Sequence, residues 1–360
     1  MLREKYKITP AAYPEEEFIF ADLSVSNRSS HLGHALVEYA PNTVLAYYPD
    51  CSAKSKDHTG HSGDGWMKYK RSFDGGKTWT EEKDEPHSKS FYEESDHTES
   101  LMIEKALITD TGRIVLFYLH CDLFRNGHLW EPYLPPFYAY SDDNGESFSP
   151  LKKFTGYSGR IWDARYKDGV IYVYIQEGEY TAGSNNAYYL YVSEDNGESF
   201  ALRSTVGFES SKDCFYGNIL FLPDGRLIAY SYDATDERNL KYIISEDNGF
   251  TWGESRRTFF KKRIRNPQVA YFDGIFFMHG RSGSHGDTDK AGHFVLYTSE
   301  DGFNWDEGTI IRYRENNSGA YSNNVIVHDE YGNEKALLIQ FSHVYHLFKT
   351  NDLELLIEKK

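Results

Sequence analysis

Short runs in which apolar and polar residues alternate recur along the whole chain, broken every few residues by Gly, Asn or Asp. Trp66-Met-Lys-Tyr-Lys70 is an example, and Tyr188-Tyr-Leu-Tyr-Val192 is a strand-like aromatic run without the alternation. A period of two with turn residues at each end predicts half-buried strands joined by hairpins. No helical periodicity is sustained beyond two turns, so the pattern predicts an all-β chain.

The runs are ordered by two interleaved repeats. Four segments fit Ser-x-Asp-x-Gly-x-Ser/Thr-Trp/Phe: Ser72-Phe-Asp-Gly-Gly-Lys-Thr-Trp79, Ser141-Asp-Asp-Asn-Gly-Glu-Ser-Phe148, Ser193-Glu-Asp-Asn-Gly-Glu-Ser-Phe200 and Ser245-Glu-Asp-Asn-Gly-Phe-Thr-Trp252. Ser299-Glu-Asp-Gly-Phe-Asn-Trp305 is one residue short, and Thr350-Asn351-Asp352 is a worn sixth copy. From Ser72, successive starts are 69, 52, 52, 54 and 51 residues apart. The Asp carboxylate suits backbone N–H groups in a turn, the Gly supplies an unusual backbone angle, and the aromatic ring closes over the turn.

The second repeat is a hairpin with a polar mouth. Arg160-Ile-Trp-Asp-Ala-Arg-Tyr-Lys-Asp-Gly169, Tyr216-Gly-Asn-Ile-Leu-Phe-Leu-Pro-Asp-Gly225 and Arg265-Asn-Pro-Gln-Val-Ala-Tyr-Phe-Asp-Gly274 share it, and related segments begin near His34, Glu99 and Tyr321. Each such hairpin, followed by one Ser-x-Asp turn, makes a four-stranded antiparallel unit. Six units of about fifty residues predict one six-bladed β-propeller over 1–360. The strand near Phe18–Ala21 is expected to pair with Leu353–Ile357 and close the ring, which removes exposed sheet edges.

Strand direction places the function. The Ser-x-Asp turns join the third and fourth strands, on the face away from a site built where inner strands begin and second strands end. On that face the mouth holds His31 or His34, Glu99 or Glu104, Arg160, Tyr216, Arg265, and Tyr321 with Asn323. The ends of the second strands add His120, Glu177, Asp233, Arg281 and His285. Arginines with Tyr and His suit a ligand bearing hydroxyls and a carboxylate.

Composition narrows the partner. Aromatics make up 16% of the chain, with 29 Tyr and 23 Phe, which suits strands and sugar contacts alike. A formal charge of -16 disfavours nucleic acid and anionic membrane as partners. The N-terminus lacks the apolar core of a signal peptide, so a cytoplasmic protein with reduced thiols is expected. No cofactor is expected and no metal site is assigned. Cys51, Cys121, His120 and Asp50 form the one alternative metal cluster.

The repeats and their spacing resemble the sialidase superfamily, whose propellers carry Asp boxes in this position. The resemblance implies a catalytic Tyr in an Ala-Tyr-Ser stretch, matched by Ala320-Tyr321-Ser322, and an acid/base Asp before the first box strand, matched by Asp64. It implies four further features that this chain lacks. His34 lies where the first clamp arginine is expected, Tyr216 replaces the activating Glu, and Tyr232 and Lys290-Ala291 replace the other two arginines. Arg160, Arg265 and Arg281 are candidates for a substitute clamp. The leading expectation is an exo-acting glycoside hydrolase on a terminal sugar of a glycan, with Asp64, Tyr321 and Glu99 catalytic. His34, His120, Arg160, Tyr216, Arg265 and Arg281 are its substrate-binding set. A uronide lyase using Arg, His or Tyr, and a non-catalytic glycan-binding propeller, are the alternatives.

Overall fold

A computed structural model describes residues 2–9, 19–23, 28–29, 34–52, 62–125, 127, 129, 131–178, 187–208, 214–282, 292–312, 321–344 and 350–360. His31, His285, Lys290, Ala291 and Phe18 lie outside them. The strands fall into six antiparallel sheets, five built from consecutive strands and the sixth joining the last three strands to two from the N-terminus. The inner strands Ala35–Ala40, Glu99–Ile108, Gly159–Lys167, Cys214–Phe221, Arg265–Phe272 and Ser322–His328 follow one another around the axis, and the last returns to the first. The molecule is a six-bladed β-propeller, as the repeats predict.

The ring closes in the sixth blade. Its third strand, Thr350–Lys359, pairs with Ile19–Asp22 at one end (Ile19 opposite Leu353) and with Tyr6–Thr9 at the other (Tyr6 opposite Lys359). The second of these N-terminal strands was not expected from the sequence. Phe20 is buried against Tyr48 and Trp79 of blade one, with ring centroids 5.2 and 4.9 Å apart. Burying such a ring contributes about 1.5–3 kcal/mol, so the seam is held by packing as well as by strand pairing.

The five repeated turns from Ser72 to Trp305 are built alike, whereas Thr350-Asn351-Asp352 opens the third strand of blade six and is not a turn. In the first, Asp74 Oδ1 accepts from the backbone N–H of Lys77 and Thr78 at 3.0 and 2.8 Å, and Oδ2 accepts from the Thr78 hydroxyl at 2.6 Å. Ser72 Oγ donates to Asp74 and accepts from Gly76 N–H. Each turn also presses on the preceding blade. Gly145 has φ 75°, and a Cβ there would lie 2.7 Å from Leu45 Cδ1, so both backbone angle and space demand glycine.

Two segments depart from the all-β expectation, a single turn of helix at Leu2–Lys5 and a longer one. Pro86–Glu94 forms a nine-residue helix, which accounts for the long interval between the first two turns. Buried Glu85 caps it by accepting from Ser88 N–H at 2.7 Å and from His87 N–H, with Pro86 in the first turn. Only Ser88 and Tyr92 of the helix are buried, too few to print a helical period on the sequence.

Candidate functional site

The inner strands of four consecutive blades lose register where they approach the axis. Ile103 and Lys105 pair with neighbouring residues Tyr118 and Phe117, so Glu104 between them has no partner in the ladder. Trp162, Tyr216 and the Asn266-Pro267 pair are left out in the same way. A bulge takes its residue out of the strict in-out alternation of a strand and re-aims the side chain. Glu104, Trp162, Tyr216 and Asn266 therefore converge on one axial cavity. His34 and Tyr321, each immediately before an inner strand, complete the ring of six blades, and Lys105, Gln268 and Asn323 also line it. The cavity is narrow, about 20 Å³, enough for about one water or one small polar group. Tyr216 and Asn266 have φ of 47° and 51°. A left-handed backbone is unfavourable for a bulky tyrosine, and such strain concentrates at functional positions.

Charge around the cavity is almost balanced. Arg160, fully buried, is held by Glu104 through Nη2 at 2.8 and 2.9 Å and Nε at 3.2 Å; it also donates to the Tyr133 hydroxyl at 3.0 Å and stacks on Trp162. Arg265 lies 3.7 Å from Glu237, whose carboxylate also accepts from Tyr232. Lys105 donates to Gln268 and Asn323 at 2.5 and 3.1 Å and lies 3.6 Å from Asp163, which also holds Arg165. Burial lowers the Lys105 ammonium to about 8, partly offset by Asp163.

Arg281 breaks the balance. It is 8% exposed, its Nε has no hydrogen-bond partner, and no carboxylate lies within ion-pair distance among the described residues. It sits opposite Arg265 in the blade-five ladder. Burial and then the Arg265 charge lower its pKa, while the Tyr216, Tyr321 and Tyr232 phenols oppose that shift. Guanidinium remains protonated even so. An uncompensated buried cation costs several kcal/mol, and an anionic ligand removes that cost.

Tyr321 stands between these groups. Its ring lies 6.2 Å from Tyr216 and 5.6 Å from the Arg160 guanidinium. Its backbone is fixed on both sides by Ser342, whose N–H donates to the Tyr321 carbonyl and whose Oγ accepts from the Tyr321 N–H. Burial pushes the phenol well above its usual pKa, hydrogen bonding with Tyr216 adds to this, and Arg160 and Arg281 act against it.

Arg265 and Arg281 lie beside the cavity without lining it, and the other sequence-predicted residues lie apart from it. Asp64 accepts a hydrogen bond from Tyr92 of the helix, beside the blade-one strand Gly65–Ser72. Glu99 accepts from His120 Nε2 at 2.7 Å, and His120 Nδ1 faces the Pro135 carbonyl. Glu99 precedes Glu104 by five residues along one strand, roughly 16 Å of chain. Glu177 is bonded to Tyr191, and Asp233 is shared by Lys241 and Arg257. The alternative metal cluster does not assemble: Asp50 is taken by Arg28 and Lys68, and His120 by Glu99. Cys51 and Cys121 are free, buried thiols whose pKa burial raises. No group of three potential ligands occurs among the described residues.

Sequence counting from the hairpin glycine finds Arg160, Tyr216 and Arg265 because the strand length is a fixed ruler. It misses Lys105, Trp162, Asn266 and Gln268, since the bulges shift which residues face the axis. It also misses Glu237, which reaches Arg265 from the connection after the second strand of blade four. The left-handed Asn266 before Pro267 is the one local signal that the sequence offers.

No family model and no curated protein sequence matches the chain. Solved structures do. An unknown-function protein from Dyadobacter fermentans DSM 18053 is 12% identical with a TM-score of 0.73, covering 98% of this chain and 100% of that one. The Hadza microbial sialidase Hz136 is 16% identical with a TM-score of 0.64, over 95% of this chain and 68% of that one. Trypanosoma rangeli sialidase in complex with 2,3-difluorosialic acid, a covalent intermediate, is 15% identical with a TM-score of 0.61, over 98% of this chain and 58% of that one. The chain has a divergent sialidase-like propeller fold.

Proposed function

We propose that this protein is an exo-acting glycoside hydrolase that removes a terminal acidic sugar from a glycan. The observation that carries the reading is Arg281: one buried positive charge without a counter-ion among the described residues, beside two cavity-lining phenols. In this reading the sugar carboxylate supplies the missing counter-charge, and the cavity admits that group while the ring rests in the mouth above.

Tyr321 is the nucleophile. Its phenol proton passes along the hydrogen bond with Tyr216 to water in the mouth. Its oxygen forms the bond to the anomeric carbon as the glycosidic C–O bond breaks, and the leaving oxygen takes a proton from a general acid. Asp64 is assigned that acid role, with Tyr92 orienting it. Water then attacks the anomeric carbon, delivering its proton to the same carboxylate, and the Tyr321 oxygen leaves. Arg160 and Arg281 stabilise the phenolate form in both steps, and the Tyr216 hydroxyl bonds it.

A uronide lyase is the second reading, favoured by the same geometry. Arg281 neutralises a uronate carboxylate, an ionised tyrosine takes the adjacent proton and returns it to the leaving oxygen as the C–O bond on the next carbon breaks, and a carbon–carbon double bond remains. One experiment separates the two. Aryl glycosides of acidic and neutral sugars and a set of oligouronides are incubated with wild type, Tyr321→Phe and Asp64→Asn. Hydrolysis releases a reducing sugar without ultraviolet absorbance; elimination produces a conjugated, absorbing uronate. The hydrolase reading predicts the first, lost in Tyr321→Phe. Undiminished activity in both variants overturns the assignment, and binding without turnover identifies a glycan-binding propeller.

A further inference from the structure

The segment Arg256–Arg265 is strongly basic in a chain of net charge -16. Its cations are Arg256, Arg257, Lys261, Lys262, Arg263 and Arg265, with no acidic residue among them. A cationic run is most often a solvated surface, and a basic edge strand also deters edge-to-edge aggregation. Placement and pairing take this one further.

Arg256–Phe259 is the outer strand of blade four. Phe259 pairs with Asn239, so it lies at the end where the third strand begins and the second ends, which is the cavity face. The chain then crosses to Arg265, which opens the inner strand of blade five opposite Arg281. Ile264 N–H bonds Glu237 O and Phe260 N–H bonds Arg238 O, laying this crossing along the blade-four connection. Arg256, at the far end of that strand, lines a separate pocket with Glu246 and Glu254. The other basic residues form a ridge from the rim of blade four to Arg265, which precedes cavity-lining Asn266, six residues or at most about 21 Å of chain from Phe259.

The ridge is incompletely neutralised. Glu307 holds Lys261 at 2.5 Å, and Asp233 lies 3.6 Å from Arg257 but is also held by Lys241. Arg263 and neighbouring Arg238 have no carboxylate within ion-pair distance among the described residues. Phe259, 57% exposed, presents an aromatic surface among them. The inner end of the ridge meets the uncompensated Arg281.

We propose that this ridge binds the body of a polyanionic oligosaccharide whose terminal residue occupies the cavity. The proposal rests on the acidic-sugar reading above and specifies the substrate as a chain carrying repeated charges. A nucleic acid fits less well. The overall charge repels a long polyanion, and the ridge ends on a cavity too small for a base.

Isothermal titration with a heparin hexasaccharide and with hexagalacturonate, at several salt concentrations, distinguishes sulfated from carboxylated chains. A short single-stranded DNA serves as the non-glycan polyanion. In the combined Arg238→Ser, Lys262→Ser and Arg263→Ser variant, affinity for the preferred hexasaccharide falls about tenfold and its salt dependence flattens. Cleavage of a small acidic glycoside and the melting temperature stay unchanged. Arg281→Met does the reverse: it abolishes action on the small glycoside and keeps most of the salt-dependent binding. Unchanged hexasaccharide affinity in the triple variant, no hexasaccharide binding by wild type, or equally tight DNA binding overturns the ridge. Salt-dependent hexasaccharide binding that the triple variant loses, in a protein that cleaves no small acidic glycoside, overturns the cavity reading and leaves the ridge standing.

Discussion

Two buried arginines of similar sequence character differ in what surrounds them. Arg160 is matched by Glu104 in a bidentate pair; Arg281 has no such carboxylate among the described residues. Their substitutions are therefore expected to move stability in opposite directions. Glu104→Gln strands Arg160 and costs about 3–5 kcal/mol. Arg281→Met removes a desolvated charge and raises the melting temperature by about 1–3 °C, while abolishing binding of an acidic sugar. Thermal denaturation of both variants checks the pair. A drop on Arg281→Met as large as that on Glu104→Gln means that Arg281 is balanced by a group outside the described residues. This contrast was not legible in the sequence, which presents Arg160, Arg265 and Arg281 as equivalent. The difference depends on Glu104, from the neighbouring blade, and on Glu237, from the blade-four connection.

The element that carries the fold is the Ser-x-Asp turn. Hydrogen bonds from Ser147 and its backbone N–H, with Ser141, hold the Asp143 carboxyl down at about 2. Thr251 and Ser245 do the same for Asp247, also to about 2. The unfolded value is about 3.9, so between about 4 and 2 the unfolded chain binds more protons. The stability these groups contribute is thus complete above about pH 4 and lost as pH falls through about 2. Denaturant midpoints between pH 5 and 2 test this: Asp143→Asn and Asp247→Asn each make the acid decline shallower, and identical slopes contradict the account. These turns were readable because each role falls on a fixed residue type at fixed spacing. The bulges were not. Nothing in Ile103-Glu104-Lys105 says that one residue leaves the ladder, so the alternation assigns Lys105 to the wrong side. The Pro86–Glu94 helix escaped for a related reason, since its hydrogen bonds depend on a Glu85 cap and on only two buried side chains.

At the scale of the molecule, stability depends on closure between the last blade and the first. His328 of blade six meets Glu38 of blade one at 2.5 Å, and Glu38 raises the His328 pKa above its ordinary value. A raised histidine contributes stability that is fully present below about 6.5 and is lost as pH rises through the folded value. His328→Gln is expected to remove this decline between pH 6 and 9, measured by denaturant unfolding; an unaltered profile contradicts it. Deleting residues 1–23 removes Tyr6–Thr9 and Ile19–Asp22 together and exposes the edge of Thr350–Lys359. The expected result is loss of cooperative unfolding and aggregation through the freed edge, seen by light scattering. The strand count, the blade number and half of this seam were legible from periodicity. The pairing of Tyr6–Thr9 was not, because four residues carry too little pattern to mark a strand.

The central claim is that the axial cavity recognises an acidic sugar through Arg281. It is tested most directly by kcat/KM for paired fluorogenic glycosides differing only in a carboxylate, with wild type and Arg281→Met. The account predicts that wild type cleaves the acidic member preferentially and that Arg281→Met loses about a hundredfold on it, about 2.7 kcal/mol of transition-state stabilisation. Equal cleavage of both members by wild type, or an Arg281→Met variant that retains the preference, contradicts it.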